Sequence, residues 1–136
     1  MRFMIIVKAT DDSEADALPD PSIFEAMADY HKKLADAGVL LDASGLHPSS
    51  RGWRIQWEDG EKRVTDGPFT ETKELIAGYT LIQVDSVEEA REWADRFPNP
   101  HMENGEIEIR RLRELDEFPD GPHMEGFREI QMSDDQ

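Results

Sequence analysis

Phe3-Met4-Ile5-Ile6-Val7 is apolar at every position, so neither alternating face of this stretch is suited to water. Successive side chains of a strand point to opposite faces. A strand apolar on both faces belongs in the middle of a sheet that is covered on two sides. Asp11 to Pro19, which follows, is polar and acidic and reads as a loop. Asp20-Pro21 then supplies an N-cap and a proline at the first helical position. Ile23, Met27, Tyr30, Leu34 and Ala37 recur at helical spacing up to Gly38, which ends the helix. Val39-Leu40-Leu41 opens a second strand, and Ser44 to Ser50 reads as a loop.

Further on, Trp53 to Glu58 and Glu61 to Thr65 flank Asp59-Gly60, the favoured pair for a two-residue type I′ turn. That turn predicts a register in which Glu58 faces Glu61, Trp57 faces Lys62, Ile55 faces Val64 and Trp53 faces Asp66. Period-two alternation then places Trp53, Ile55, Trp57, Val64 and Asp66 on one face. Leu75 to Val84 is the next strand, with Gly78 marking a bulge or a close backbone approach. Ser86-x-x-Glu89 is a capping box. Behind it Val87, Ala90, Ala94 and Phe97 line a second helix, which stops at Pro98, and Trp93 is expected beside that stripe. Glu106 to Leu112 alternates as a last strand. Residues 113–136 are highly charged and read as a tail.

The order strand, helix, strand, hairpin, strand, helix, strand is an α+β frame, a ferredoxin-like βαββαβ unit with an inserted β-hairpin. Two helices cover one face of such a sheet. Strand one is apolar on both, so the expected second cover is the sheet of another subunit, giving a homodimer that forms an α+β barrel.

Composition narrows the function. The formal charge is −16, from 31 acidic and 15 basic residues, and such a surface repels phosphate backbones, so no nucleic-acid partner is expected. No run approaches the roughly 18 apolar residues of a membrane span, and the first residues read as a strand rather than a signal peptide. The chain has no Cys, which excludes disulfides and thiol chemistry and makes a reducing cytoplasm the default. Gly-x-Gly-x-x-Gly, Walker, His-Glu-x-x-His and Gly-x-Ser-x-Gly motifs are missing, so no cofactor is expected. His101-x-Glu103 and His123-x-Glu125 could each chelate an ion, but neither has a third ligand at a telling spacing, so no metal is expected.

Several segments carry a family resemblance. They are Met1-Arg2-Phe3-Met4, Ala37-Gly38-Val39-Leu40-Leu41, Gly45-Leu46-His47-Pro48, Val64-Thr65-Asp66-Gly67-Pro68-Phe69, Glu71 to Tyr79, and Gly105 to Arg110. Together they span residues 1–112, and the chain resembles the YCII-related family in the branch marked by the Asp-Gly-Pro-Phe motif. The resemblance implies a dimeric α+β barrel of the kind found in muconolactone isomerase-like enzymes. Shorter relatives are thought to use a His and Asp pair with the His in the first helix, where this chain carries Met27. Members of this branch are often encoded beside extracytoplasmic-function sigma factors, which implies a non-catalytic regulatory alternative.

Among individual residues, His47 is the leading acid/base candidate because imidazole titrates near neutrality. Asp66 is a candidate partner, as a general base or a ligand-binding carboxylate. The other reading is that Asp66 caps its own turn, with Gly67 supplying an unusual φ and Pro68 stiffening the chain, since turn chemistry alone accounts for these residue types. Trp53 and Phe69 would shape a pocket, Arg51 would bind an anionic group, and Tyr30 would line the cavity or belong to the core. His31, followed by Lys32 and Lys33, is expected on the solvated helix face. These assignments describe a barrel protein binding a small organic molecule, with isomerase- or lyase-like proton transfer.

Overall fold

The computed structural model describes the backbone of residues 1–134 and side chains as far as Gln131. Four strands form an antiparallel sheet in the order β2-β5-β1-β6, with β1 at Arg2–Lys8, β2 at Leu40–Gly45, β5 at Ile76–Gln83 and β6 at Ile107–Arg111. The helices α2 (Pro21–Asp36) and α3 (Val87–Asp95) bury their apolar stripes against one face of this sheet. The arrangement is a mixed α+β fold consistent with a ferredoxin-like unit, and the sheet is open rather than closed into a barrel.

β1 lies between β5 and β6, as its composition requires. Phe3, Ile5 and Val7 are buried, while Met4 and Ile6 are only partly covered. Within the chain, therefore, one face of β1 is packed and the other is open. The packed side holds Phe3, Ile5, Tyr30, Leu34, Ile82 and Trp93, with Ile5, Leu34 and Ile82 fully excluded from water. Tyr30 stands in this core edge-on to Trp93 and Phe97, and its hydroxyl donates to the Trp93 carbonyl at 2.7 Å.

The caps follow local chemistry. Asp20 accepts from the Ser22 amide at 2.9 Å and Pro21 opens α2, while Ser86 accepts from the Glu89 amide at 3.1 Å. The Glu89 carboxylate reaches back to the Asp85 amide, one residue before the cap. Gly38 adopts φ +75 after α2, the left-handed conformation that costs glycine least.

Two segments ahead of the hairpin differ from their sequence reading. Asp11–Glu14, expected within a loop, forms a single helical turn, α1, capped by reciprocal Thr10 and Ser13 bonds. β2 continues through Asp42, Ala43 and Ser44 to Gly45, beyond its apolar start, with a bulge between Leu40 and Asp42. As an edge strand it keeps its ladder to β5 without apolar alternation. Gly78 on β5 permits the close approach, since a Cβ there would lie 2.9 Å from the Ser44 carbonyl oxygen.

β3 (Trp53–Glu58) and β4 (Glu61–Asp66) form a separate two-stranded sheet. Its register is the one the Asp59-Gly60 turn dictates: Trp53 faces Asp66, Ile55 faces Val64, Trp57 faces Lys62 and Glu58 faces Glu61. Both turn residues have positive φ, 52° and 81°, as a type I′ turn demands. Every residue of both strands is exposed.

After β6 the chain makes 3-10 turns at Leu115–Glu117 and Pro122–Met124 and then α4 (Glu125–Asp134). Met124 is buried, and Glu114 forms a two-pronged ion pair with Arg2, at 3.0 and 2.9 Å. The last two residues of the segment read as a tail, 135–136, lie outside the described residues.

Candidate functional site

A cavity of about 490 Å³ opens between α2, the α1–α2 connection, the β2 and β5 strands and the loop at Pro100–Met102. Its size is in the ordinary range for small-molecule sites. Phe24, Met27 and His31 project into it from α2, Leu46 borders it after β2, Thr80 rises from β5, and His101 closes one side.

His31 is the most constrained titratable group in this wall. Its Nδ1 lies 2.7 Å from the Met27 carbonyl oxygen, and its Nε2 lies 2.7 Å from Thr80 Oγ1. A carbonyl only accepts, so Nδ1 carries a hydrogen. Nε2 then accepts from the Thr80 hydroxyl when the ring is neutral and donates to it when the ring is protonated. Both states are hydrogen-bonded at both ring nitrogens. The ring also meets Tyr30 and Phe97 edge-on, with centroids 5.4 and 6.1 Å away. Thr80 is 2% exposed, and the ring supplies its hydroxyl with a partner inside the protein.

The expected solvated position of His31 is thus corrected. Met27 and His31 are four residues apart, so they share one side of α2 and both face the cavity, while Tyr30 and Leu34 turn into the core. Lys32 and Lys33 point elsewhere. The spacing from Met27 was the available signal, obscured by the basic pair that follows.

His101 donates through Nε2 to the Lys8 carbonyl at 3.0 Å, which holds its ring against the cavity. Among the described residues no group of three or more His, Cys, Asp or Glu is gathered to hold a metal ion.

The residues singled out from sequence fall in three places. His47 is exposed and follows the cavity residue Leu46; its Nδ1 lies 2.9 Å from an Arg51 nitrogen, and Arg51 reaches Asp16 at 3.2 Å. Guanidinium only donates, so His47 Nδ1 is the acceptor and its proton sits on Nε2. Asp16 lines the cavity, so His47 and Arg51 stand at its mouth. Asp66 and Trp53 face each other at the root of the hairpin, both open to solvent, and Phe69 lies beneath the Arg54 guanidinium at 3.8 Å. No hydrogen bond joins His47 to Asp66 among the described residues, and neither lines the cavity wall. Tyr30 is in the core, where burial pushes its hydroxyl up to about 12 despite the opposing Arg96 charge.

The Asp66-Gly67-Pro68-Phe69 run has a definite local task. A Cβ on Gly67 would overlap the Ser49 carbonyl oxygen, and the Gly67 amide donates to the Gly52 carbonyl at 2.9 Å. The Phe69 amide donates to Ser49 Oγ at 3.0 Å. Ser49 in turn gives its amide and hydroxyl to the two oxygens of the Glu14 carboxylate. The motif therefore seats the hairpin on the 49–52 turn, and that turn on α1.

An open antiparallel sheet, two helices on one face and a walled cavity beside the first helix define a small α+β protein. The chain belongs to the YCII-related domain family, whose model matches residues 1–116. It is similar to the uncharacterized protein R00369 of Rhizobium meliloti (strain 1021), at 32% identity over 93 residues, covering 68% of this chain and 75% of that protein.

Proposed function

We propose that the cavity binds a small organic molecule and that Thr80 and His31 move a proton on it. The carrying observation is the chain of contacts Thr80 Oγ1–His31–Met27 carbonyl on the cavity wall, each link 2.7 Å long. A base oriented by a third group, with a hydroxyl in front of it, is a general arrangement for proton transfer. The Thr80 oxygen takes a proton from the ligand as its own passes to Nε2, and the Met27 carbonyl stabilises the resulting imidazolium through Nδ1. Returning the proton to a different ligand atom completes an isomerisation that balances in protons and electrons. His47 and Arg51 border the mouth, where Asp16 holds the Arg51 guanidinium.

Two further parts of this reading concern setting. The Asp66-Gly67-Pro68-Phe69 run supports the branch of the family marked by that motif. The open face of the sheet supports a homodimer.

The test is a thermal-shift screen of small organic molecules, followed by NMR of each hit in deuterated water. The expected outcome is binding by wild type, Thr80→Val and His31→Gln, with solvent deuterium entering the ligand only for wild type. Exchange that persists in both variants would remove the proton-transfer role. Absence of any hit sensitive to cavity substitutions would remove the binding role.

A further inference from the structure

We infer that the cavity selects an uncharged or amine-bearing apolar molecule and rejects organic acids and phosphates. This inference rests on the reading of the cavity as a binding site. Among the described residues, no Lys or Arg lines the cavity. Its permanently charged groups are two carboxylates, Asp12 and Asp16. Asp16 is occupied by Arg51, and the Asp12 carboxylate makes no ion pair among the described residues. Arg51 itself is divided between Asp16 and His47.

The remaining feature that would favour an anion is the N-terminus of α2, which approaches the cavity through Leu18, Pro19 and Ile23. Asp20 has already placed a carboxylate there, on the Ser22 amide. The histidines do not compensate. His101 spends Nε2–H on a backbone carbonyl, and His31 spends Nδ1–H on another.

An anionic ligand would therefore lose its hydration without gaining a counter-ion, the costly case for a buried charge. The field of a chain carrying −16 acts in the same direction at long range. Phe24, Leu46 and Met102, all exposed at the rim, supply apolar contact for the body of the ligand. The amine of a ligand would meet Asp12 at the edge.

The test uses N-phenyl-1-naphthylamine and 8-anilinonaphthalene-1-sulfonate, which share one aromatic skeleton and differ by a sulfonate. Fluorescence titrations at pH 8 lie above the ordinary range of imidazole, and added salt near 0.5 M shrinks the Debye length to roughly 4 Å, leaving the local environment to decide. The neutral probe is expected to bind at least about tenfold more tightly than the sulfonate, a difference of about 1.4 kcal/mol. Leu46→Lys, placing a cation at the rim, is expected to move that ratio tenfold toward the sulfonate. Leu46→Gln should weaken both probes without changing the ratio, and circular dichroism checks that each variant is folded. Leu46-sensitive binding with the sulfonate equal or tighter would overturn the ligand class and leave the cavity standing. Binding of both probes that ignores Leu46 substitution would overturn the binding site itself.

Discussion

Gly67 and Ser49 touch through their backbones so closely that Gly67 has no room for a side chain on its Ser49 side. This one contact explains why a glycine stands in the Asp66-Gly67-Pro68-Phe69 run. A two-stranded hairpin is marginal alone, and here all its strand residues are exposed, so its attachment has to be made at the base. Ser49 supplies that attachment by joining Glu14 on α1 to the Phe69 amide.

Gly67→Ala should accordingly destabilise the protein by about 2–4 kcal/mol, since the obstacle is backbone rather than a movable side chain. Ser49→Ala removes the two bonds of the Ser49 hydroxyl, to Glu14 and from the Phe69 amide, leaves the Ser49 amide bonded to Glu14, and should cost about 1–2 kcal/mol. Asp66→Asn, at an exposed position, should change stability by less than about 0.5 kcal/mol. Urea unfolding followed by Trp fluorescence measures all three. A Gly67→Ala variant as stable as wild type would mean that the hairpin root is not held by this contact.

Tyr30 and Tyr79 are the two tyrosines of the chain, and both have their ionisation pushed upward. For Tyr30 the main cause is burial; for Tyr79 it is the 2.8 Å hydrogen bond to Asp42. Absorbance at 295 nm should therefore show no tyrosinate until the pH passes the ordinary phenol value of about 10. Because the folded value of Tyr30 lies above the unfolded one, its contribution is complete below pH 10 and lost as the pH climbs toward about 12. Tyr30→Phe should abolish the step near pH 12 and cost about 1–2 kcal/mol at neutral pH, by leaving the Trp93 carbonyl without this donor. A Tyr30 that titrates near 10 in the native state would contradict its burial.

The parts of the fold readable from sequence are those where one local rule dominates. Asp59-Gly60 fixes the hairpin turn, and the period of two then leaves a single register, which the Trp53–Asp66 pairing bears out. The stripe through Tyr30 and Leu34 located α2 because burial and helical spacing agree there. β2 was less legible, since its ladder to β5 places few apolar demands on Asp42 or Ser44. Among site residues, His47 and Arg51 reach the cavity mouth through Asp16. His31 was missed for a physical reason: a helix has a third side, neither core nor solvent, wherever a cavity opens beside it. Residue types along α2 distinguish apolar from polar, and only the tertiary arrangement tells a cavity wall from a wet surface. The same limit applies to His101, whose position depends on the Lys8 carbonyl far away in sequence.

The Arg2–Glu114 pair makes a pH-dependent prediction. The Arg2 guanidinium holds the Glu114 carboxyl below its ordinary range, chiefly through the paired hydrogen bonds. A lowered folded value gives stability that is present above the unfolded pKa, near 4.5, and is lost as the pH falls through the folded one. The pair is partly exposed, 34% and 26%, so its worth is limited to about 0.5–1 kcal/mol. Glu114→Gln should lose that amount at pH 7 in chemical denaturation, and the gap to wild type should close as the pH is lowered below 4.5. A gap that stays constant with pH would assign the effect to packing of the 113–124 segment instead.

The open sheet face leads to the last prediction. Register pairs Met4 with Leu81 and Ile6 with Tyr79, so these four side chains share the face turned away from α2 and α3. All four are only partly covered. Around them stand Arg110 with Glu108, joined at 3.3 Å, and Asp42, which accepts from Tyr79. An apolar centre inside a polar rim is the usual anatomy of a stable interface. Two copies meeting through this patch would complete the second cover that the all-apolar β1 demands. Light scattering should find a dimer at micromolar concentration. Leu81→Glu should convert it to monomer, because burying an unpaired carboxylate costs about 3–5 kcal/mol, more than a hundredfold in dissociation constant. Trp57→Glu, on the hairpin, should leave the dimer intact. Wild type found as a monomer, or a dimer broken by Trp57→Glu and not by Leu81→Glu, would move the interface off this face.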